Sequence, residues 1–119
     1  MRKITREIAT AFLDGNRLYK DNTSTDNGEI RLFGNLIAYW NTDSSVAITL
    51  AGHNTKTTRE RLNGLLELMQ SDRRIGSYKG EPRLGIFETA FYWDMNPYEE
   101  YTIEYGFFNP SNYARIVGE

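Results

Sequence analysis

The stretch EIRLFGNLIAYW, residues 29–40, has the pattern of a β-hairpin and decides the fold. Two runs rich in apolar and aromatic residues flank Gly34-Asn35. Gly and Asn tolerate the positive φ that a two-residue hairpin turn needs. This turn predicts that Leu32 lies opposite Ile37, and the register of the hairpin follows from that pair.

A second predicted turn, at residues 41–44, continues the hairpin into a three-stranded meander and places Tyr39 opposite Val46. In this register one face of the sheet collects apolar side chains, and a slip of one position would scatter them. The predicted face consists of Ile30, Leu32, Ile37, Tyr39, Val46 and Ile48.

Two segments have helical patterns. Residues 4–14 repeat apolar side chains at helical spacing, and Gly15 follows as a stop. A second helix is predicted to begin at Thr57, which fits a capping box with Glu60. Its apolar stripe is expected to pack on the sheet face, where Gly64 would permit close approach. The stripe consists of Leu62, Leu65, Leu66 and Met69.

The rest of the chain predicts loops and further strands. Residues 16–29 are polar and predict a loop, with at most a short edge strand. Residues 71–85 are rich in turn residues, with a short strand near Ile75. Residues 86–95 and 99–108 each predict one strand, separated by Asn96-Pro97.

Composition fits one globular domain. The chain has 119 residues, of which 39% are apolar and 25% charged. It has no cysteine, which excludes disulfides and thiolate metal sites. No signal-peptide pattern or membrane-length apolar run occurs, so we expect a cytoplasmic protein. The predicted fold is α+β over residues 1–119, an antiparallel sheet of about five strands with two helices packed on one face.

Three segments, ITREIATAFLDG, LFGNLIAYW and AGHNTKTTRERLNGLL, together resemble a widespread group of small proteins of tailed bacteriophages. The group shows a helix TxxAxxAFxxG, a GN hairpin, and a strand ending in AG before N-T-x-T-T-R-E-R-L-N-x-L. The resemblance covers residues 4–70, and His53 stands where the group usually has an aromatic residue. Residues 75–119 have no counterpart in it. The resemblance implies a phage origin more than it implies an activity. Small phage proteins of this size often act by binding host machinery or a bacterial defence system.

The C-terminal third of the chain carries the predicted partner surface. Residues 1–80 hold twelve Lys/Arg and nine Asp/Glu, whereas residues 81–119 hold two Arg and seven Asp/Glu. Many aromatic residues accompany these acids, more than a small core accommodates. Exposed rings with an acidic rim favour an Arg/Lys-rich protein partner. The predicted partner-binding residues are Trp93, Asp94, Tyr98, Glu99, Glu100, Tyr101, Glu104 and Tyr105.

The leading hypothesis is therefore a non-catalytic phage accessory protein that inhibits or redirects a host or defence-system protein. An anti-CRISPR or similar anti-defence role fits it. Packing of the same rings inside the monomer and a homodimer interface are alternatives. A further alternative is a nucleic-acid-binding module that uses basic residues around the second helix. Those residues are Lys56, Arg59, Arg61, Arg73 and Arg74.

The chain offers little for catalysis or cofactor binding. His53 is the only histidine, and no nucleophile motif or phosphate-binding glycine loop accompanies it. A carboxylate cation site at Asp21, Asp26 and Glu29 lacks the EF-hand spacing. The start of the second helix could hold a phosphate, although simple capping explains its hydroxyls. We expect no enzyme activity, no cofactor and no metal.

Overall fold

The computed structural model describes residues 1–89 and 91–104, which form an α+β fold, as predicted. The helices are α1 (Lys3–Asp14) and α2 (Lys56–Leu68). The strands are β1 (Leu18–Lys20), β2 (Thr23–Asp26), β3 (Glu29–Leu32), β4 (Asn35–Trp40), β5 (Val46–Ile48), β6 (Arg73–Tyr78), β7 (Glu81–Ile86), β8 (Tyr92–Asp94) and β9 (Tyr101–Ile103). They form two antiparallel sheets, a six-stranded one in the order β1-β2-β3-β4-β5-β9 and a three-stranded one in the order β6-β7-β8.

The β3–β4 hairpin exists, but its predicted register is wrong. The turn residues are Phe33 and Gly34, with φ of 51° and 81°, so Leu32 pairs with Asn35. A β-bulge between Ile30 and Arg31 then shifts the pairing by one residue. An extra residue at a bulge changes which side chains face inward, and a hydrophobic pattern alone does not locate it.

The bulge changes the composition of the buried sheet face. Ala38 pairs with Ile30 and Ile48, and all three are buried. Tyr39, predicted on this face, instead pairs with Ala47 and lies half-buried. Its hydroxyl donates a hydrogen bond to Glu100 at 2.5 Å, which raises the pKa of the tyrosine. The other predicted members are buried: Ile30, Leu32, Ile37, Val46 and Ile48.

Three further segments differ from the predicted pattern. Residues 16–29 form two strands, β1 and β2, where a loop was predicted. Residues 86–95 break at a turn after Ile86 and contribute only the end of β7 and the three residues of β8. Strand β7 falls largely in the segment predicted as turns. Short polar strands are hard to predict because pairing with neighbours, rather than burial, stabilises them.

Both helices contribute to one core with the six-stranded sheet. Helix α1 packs against α2 and against β1, β2 and β3, while α2 also packs against β4 and β6. The predicted stripe of α2 is fully buried: Leu62, Leu65, Leu66 and Met69. Burial of each such side chain stabilises the fold by roughly 1.5–3 kcal/mol. In the described part of the chain, neither helix is long and apolar enough to cross a membrane.

The start of α2 differs from the predicted capping box. Thr55 is the N-cap, and its hydroxyl accepts a hydrogen bond from the Thr58 N–H at 3.1 Å. Glu60 does not cap the helix. Its carboxylate accepts hydrogen bonds from the Thr5 hydroxyl and the Arg2 N–H, so it ties α2 to α1.

A buried polar network lies where α1, α2 and β2 meet. Arg61 is only 4% exposed. Its guanidinium donates to the hydroxyls of Thr23 and Thr5 at 3.0 Å each and to Glu60 at 2.5 Å. A fourth donation reaches the Asn22 side chain at 3.3 Å. A buried charge with this many partners positions the elements that supply them.

Gly64 permits close approach to α1 rather than to the sheet. A Cβ at Gly64 would overlap Cγ2 of Thr5. Gly64→Ala should therefore lower the unfolding free energy by about 1–3 kcal/mol, because the helices must separate. In a Thr5→Ser background, which lacks Cγ2 but keeps the hydroxyl, the same change should raise stability by up to about 1 kcal/mol through helix propensity. Urea unfolding of the wild type, the two single variants and the double variant measures this reversal. An equal loss of unfolding free energy in both backgrounds would contradict the contact between Gly64 and Thr5.

The Glu60 carboxylate makes stability depend on pH. Burial raises the pKa of Glu60, but hydrogen bonds from Thr5, Arg2 and Arg61 outweigh this and hold the pKa below its ordinary value of 4.5. Its contribution is therefore complete above the unfolded-state pKa and is lost as the pH falls through the lower folded-state value. Unfolding free energies from about pH 6 to about pH 3 should fall more steeply for the wild type than for Glu60→Gln. Parallel curves would contradict this role.

Candidate functional site

A single side chain of α2 positions the three-stranded sheet. Asn63 accepts a hydrogen bond from the Ile75 N–H at 2.7 Å and donates one to the Ile75 carbonyl at 2.8 Å. The carboxamide thus occupies the edge of β6 as a neighbouring strand would. Asn54, just before α2, donates to the Gly80 carbonyl in the β6–β7 turn at 3.0 Å. The three-stranded sheet is therefore fastened to α2 at two places.

The two faces of this sheet differ. Paired residues share a face, so Ile75, Leu84 and Trp93 lie on one side. Ile75 belongs to the core, and Leu84 packs against it. The opposite side, here called the outer face, carries Arg74, Gly76 and Tyr78 of β6, Glu81, Arg83 and Gly85 of β7, and Tyr92 and Asp94 of β8.

Tyr92 lies flat across the outer face. A Cβ at Gly85 would overlap its ring, and a Cβ at Gly76 would lie 3.9 Å from it. Two glycines on adjacent strands thus clear the space that the ring occupies. The ring is still 45% exposed, so its other side faces outward.

Arginines stack on the exposed rings around β6–β8. Arg83 lies 4.8 Å above the Tyr78 ring, and Arg74 lies 4.8 Å above the ring of Phe87. Arg73 lies 5.2 Å above Trp93. The sequence analysis separated aromatic residues from cations, but strand pairing brings them together.

The structure divides the predicted partner-binding set into two places. Trp93 is 52% exposed and Asp94 is fully exposed, but both lie on β8 next to arginines. The Asp94 carboxylate is 3.8 Å from Nε of Arg83. The remaining described members form a second location, here called the acidic turn: Tyr98, Glu99, Glu100, Tyr101 and Glu104. The predicted member Tyr105 lies outside the described residues.

The acidic turn is held by local hydrogen bonds. The Asn96 side chain accepts from the Tyr98 N–H at 2.9 Å, and the Tyr101 hydroxyl accepts from the Asn96 N–H at 2.7 Å. The Gly52 N–H donates to the Pro97 carbonyl at 2.8 Å. A Cβ at Gly52 would lie 2.7 Å from the Tyr98 ring, so the ring rests directly on that glycine. Tyr98 is nevertheless 80% exposed.

The predicted nucleic-acid residues do not form one patch. Arg61 is buried, and its hydrogen bonds are internal, so this residue was wrongly predicted as a binding residue. Arg59 donates to the Asn54 side chain at 2.5 Å, and Lys56 is exposed in the first turn of α2. Arg73 and Arg74 lie on β6. Helix periodicity alone did not reveal that Arg61 faces α1.

A pocket of about 200 Å³ lies beside the start of α2. His53 borders it together with Phe33, Asn35, Thr55 and Thr58, and Leu32, Ile37 and Leu50 form its apolar wall. None of the described residues that line it carries a carboxylate. Among residues 1–89 and 91–104 no three His, Asp or Glu side chains form a metal-binding group. Asp26 instead accepts from the Tyr19 hydroxyl, and Glu29 pairs with Arg31.

The sequence analysis did not predict that Tyr78, Arg83 and Tyr92 lie together on one surface. The available signal was the pattern of small residues: Gly76 and Gly85 leave room for one large ring. That signal becomes readable only when the β6–β7 register is known, because it depends on two glycines on different strands.

Loss of the two hydrogen bonds between Asn63 and the Ile75 backbone, here called the Asn63 clamp, should destabilise only the three-stranded sheet. Asn63→Asp removes the donor to the Ile75 carbonyl and places a carboxylate beside that oxygen. We expect amide exchange in β6 and β7 to accelerate by about tenfold or more, with little change in β2–β5. Hydrogen exchange measured by NMR checks this, with Glu67→Gln on the exposed side of α2 as control. Unchanged exchange at Ile75 would contradict the clamp.

Comparison with protein families identifies a family that matches most of the chain. The Kyanoviridae Gp96 protein family, a family of phage proteins, matches residues 1–109. No curated protein and no solved structure matches the chain. The matched region includes the three-stranded sheet and the acidic turn, whereas the resemblance noted from the motifs ended at residue 70. The chain therefore belongs to the Kyanoviridae Gp96 protein family.

Proposed function

We propose that this phage protein is a non-catalytic accessory protein that binds a host or defence-system protein and thereby inhibits or redirects it. The observation that carries the proposal is the acidic turn, in which a tyrosine that is 80% exposed stands among carboxylates. Large aromatic side chains are frequent anchors of protein interfaces because they bury much area at little entropic cost.

The fixed backbone around Tyr98 supports a binding role. Hydrogen bonds from the neighbouring residues hold the turn, and Gly52 supports the ring from below. An anchor that already has its bound conformation loses little conformational entropy on association. A side chain needed only for folding would be expected to bury more of its ring than Tyr98 does.

The charges of the acidic turn indicate the chemistry of the partner. Glu99, Glu100 and Glu104 are exposed, and none of them forms an ion pair within the described part of the chain. Exposed carboxylates that are not neutralised by a neighbouring cation favour a surface rich in Lys and Arg and accelerate the encounter with it. A defence protein that normally grips nucleic acid presents such a surface, so an anti-CRISPR or related anti-defence role is consistent with this proposal. A two-fold homodimer through the turn would bring like charges together.

Charge reversal of the acidic turn tests the proposal. The paired change Glu99→Lys and Glu104→Lys should abolish capture of a stoichiometric partner from host lysate, because basic surfaces would then face each other. Tyr98→Ala should weaken binding of the purified partner by about 2 kcal/mol or more, as expected for an anchor. Affinity capture followed by calorimetry measures both effects.

The matched control reverses two exposed charges elsewhere, Asp14→Lys and Glu67→Lys, and should leave capture intact. All variants should give the wild-type circular dichroism spectrum. Equal loss of the partner with the control pair, or full retention with the reversed acidic turn, would place the interface elsewhere.

A further inference from the structure

The outer face of β6–β8 has features that the proposed protein-binding role of the acidic turn does not use. Tyr92 presents one side of its ring outward and is supported from below by Gly85 and Gly76. Tyr78, on the same face, is 54% exposed. Rings that lie along a sheet surface offer a flat platform rather than a pocket for a single side chain.

Several cations lie close to the rings of this surface. Arg83 stacks on Tyr78, and its buried Nε has no hydrogen-bond partner among the described residues. Within the same residues its ion pair is the 3.8 Å contact with Asp94. Lys79 lies 5.3 Å above the same tyrosine ring. Arg74 is held in place by the carbonyls of Ser71 and Arg73.

We propose that this outer face binds single-stranded nucleic acid. One base would stack on Tyr92, a neighbouring base would lie against the stacked pair of Arg83 and Tyr78, and the phosphates would lie near Arg74 and Lys79. Aromatic platforms interleaved with cations are the pattern by which proteins hold unpaired nucleotides. A duplex presents phosphate charge but no free base faces. It would therefore contact the cations of this surface and leave the rings without stacking partners.

The exposed rings, rather than the charge, favour this occupant over an acidic peptide. The outer face and its turn carry Arg74, Lys79 and Arg83 against Glu81 and Asp94. This small surplus predicts weak binding in which stacking supplies most of the free energy. A peptide rich in Glu would meet the cations but would leave the outward side of the Tyr92 ring without a planar partner.

The experiment titrates the full chain into a fluorescein-labelled oligothymidylate of about twelve nucleotides at about 50 mM salt and follows fluorescence anisotropy. We expect saturable binding that is at least tenfold tighter than binding to a duplex of equal length. Tyr92→Leu keeps apolar cover over the glycines but removes the stacking face, and it should weaken binding by about tenfold. Lys79→Gln should reduce the slope of log affinity against log salt by about 0.7, the value for one phosphate contact on a single strand.

A matched pair on the other sheet provides the control, because Arg17 also stacks on an exposed tyrosine, Tyr19, at 5.3 Å. Tyr19→Leu should bind like the wild type. Absence of saturable binding, equal affinity for the duplex, equal loss with Tyr19→Leu, or poly-L-glutamate displacing the oligonucleotide at equal charge would overturn the proposal. Each result is independent of whether the acidic turn binds a protein.

Discussion

A buried arginine determines how the parts of this molecule fit together. Arg61 satisfies its guanidinium with side chains from α1, α2 and the β2 region, and it is almost completely removed from solvent. Burial of a charge costs several kcal/mol unless its partners are correctly placed. Arrangements that move α1 away from α2 would leave this charge unpaired and are therefore disfavoured. The close helix contact at Gly64 and the hydrogen bonds of Glu60 lie at the same junction.

Helix α2 contacts both sheets, each through a different side of the helix. Arg61 directs it toward α1 and the six-stranded sheet, while Asn63, two residues later, fastens the edge of β6. The run T-T-R-E-R-L-N therefore has structural uses along most of its length. The Thr58 N–H donates a hydrogen bond to the hydroxyl of the N-cap residue Thr55. Glu60 and Arg61 belong to the buried polar network, and Leu62 is buried in the core. These contacts give most residues of the motif a structural role.

The sequence predicted what depends on local pattern and failed where distant pairing decides. The helix of residues 4–14 and the stripe of α2 follow from apolar spacing, and both are present. The bulge at Ile30/Arg31 and the break after Ile86 both arise from strand pairing. The predicted position of Tyr39 on the buried face and the predicted single strand over residues 86–95 were therefore wrong. Composition pointed to the acidic and aromatic C-terminal third but left open whether its rings are exposed or packed inside the monomer. The aromatic and cationic residues of the outer face were not predicted to lie together, because up to 18 positions, from Arg74 to Tyr92, separate them in the sequence.

The central claim is that Arg61 stabilises the fold through internal hydrogen bonds and does not bind a ligand. Urea unfolding of Arg61→Met at pH 7 tests this claim directly. Met preserves much of the side-chain volume but removes the charge and every donor. We predict a loss of about 3 kcal/mol of unfolding free energy, because Glu60 and the two threonine hydroxyls lose their buried partner. Arg59→Met, on the same helix but half-exposed, should cost less than about 1 kcal/mol. An Arg61→Met protein as stable as the wild type would contradict the account.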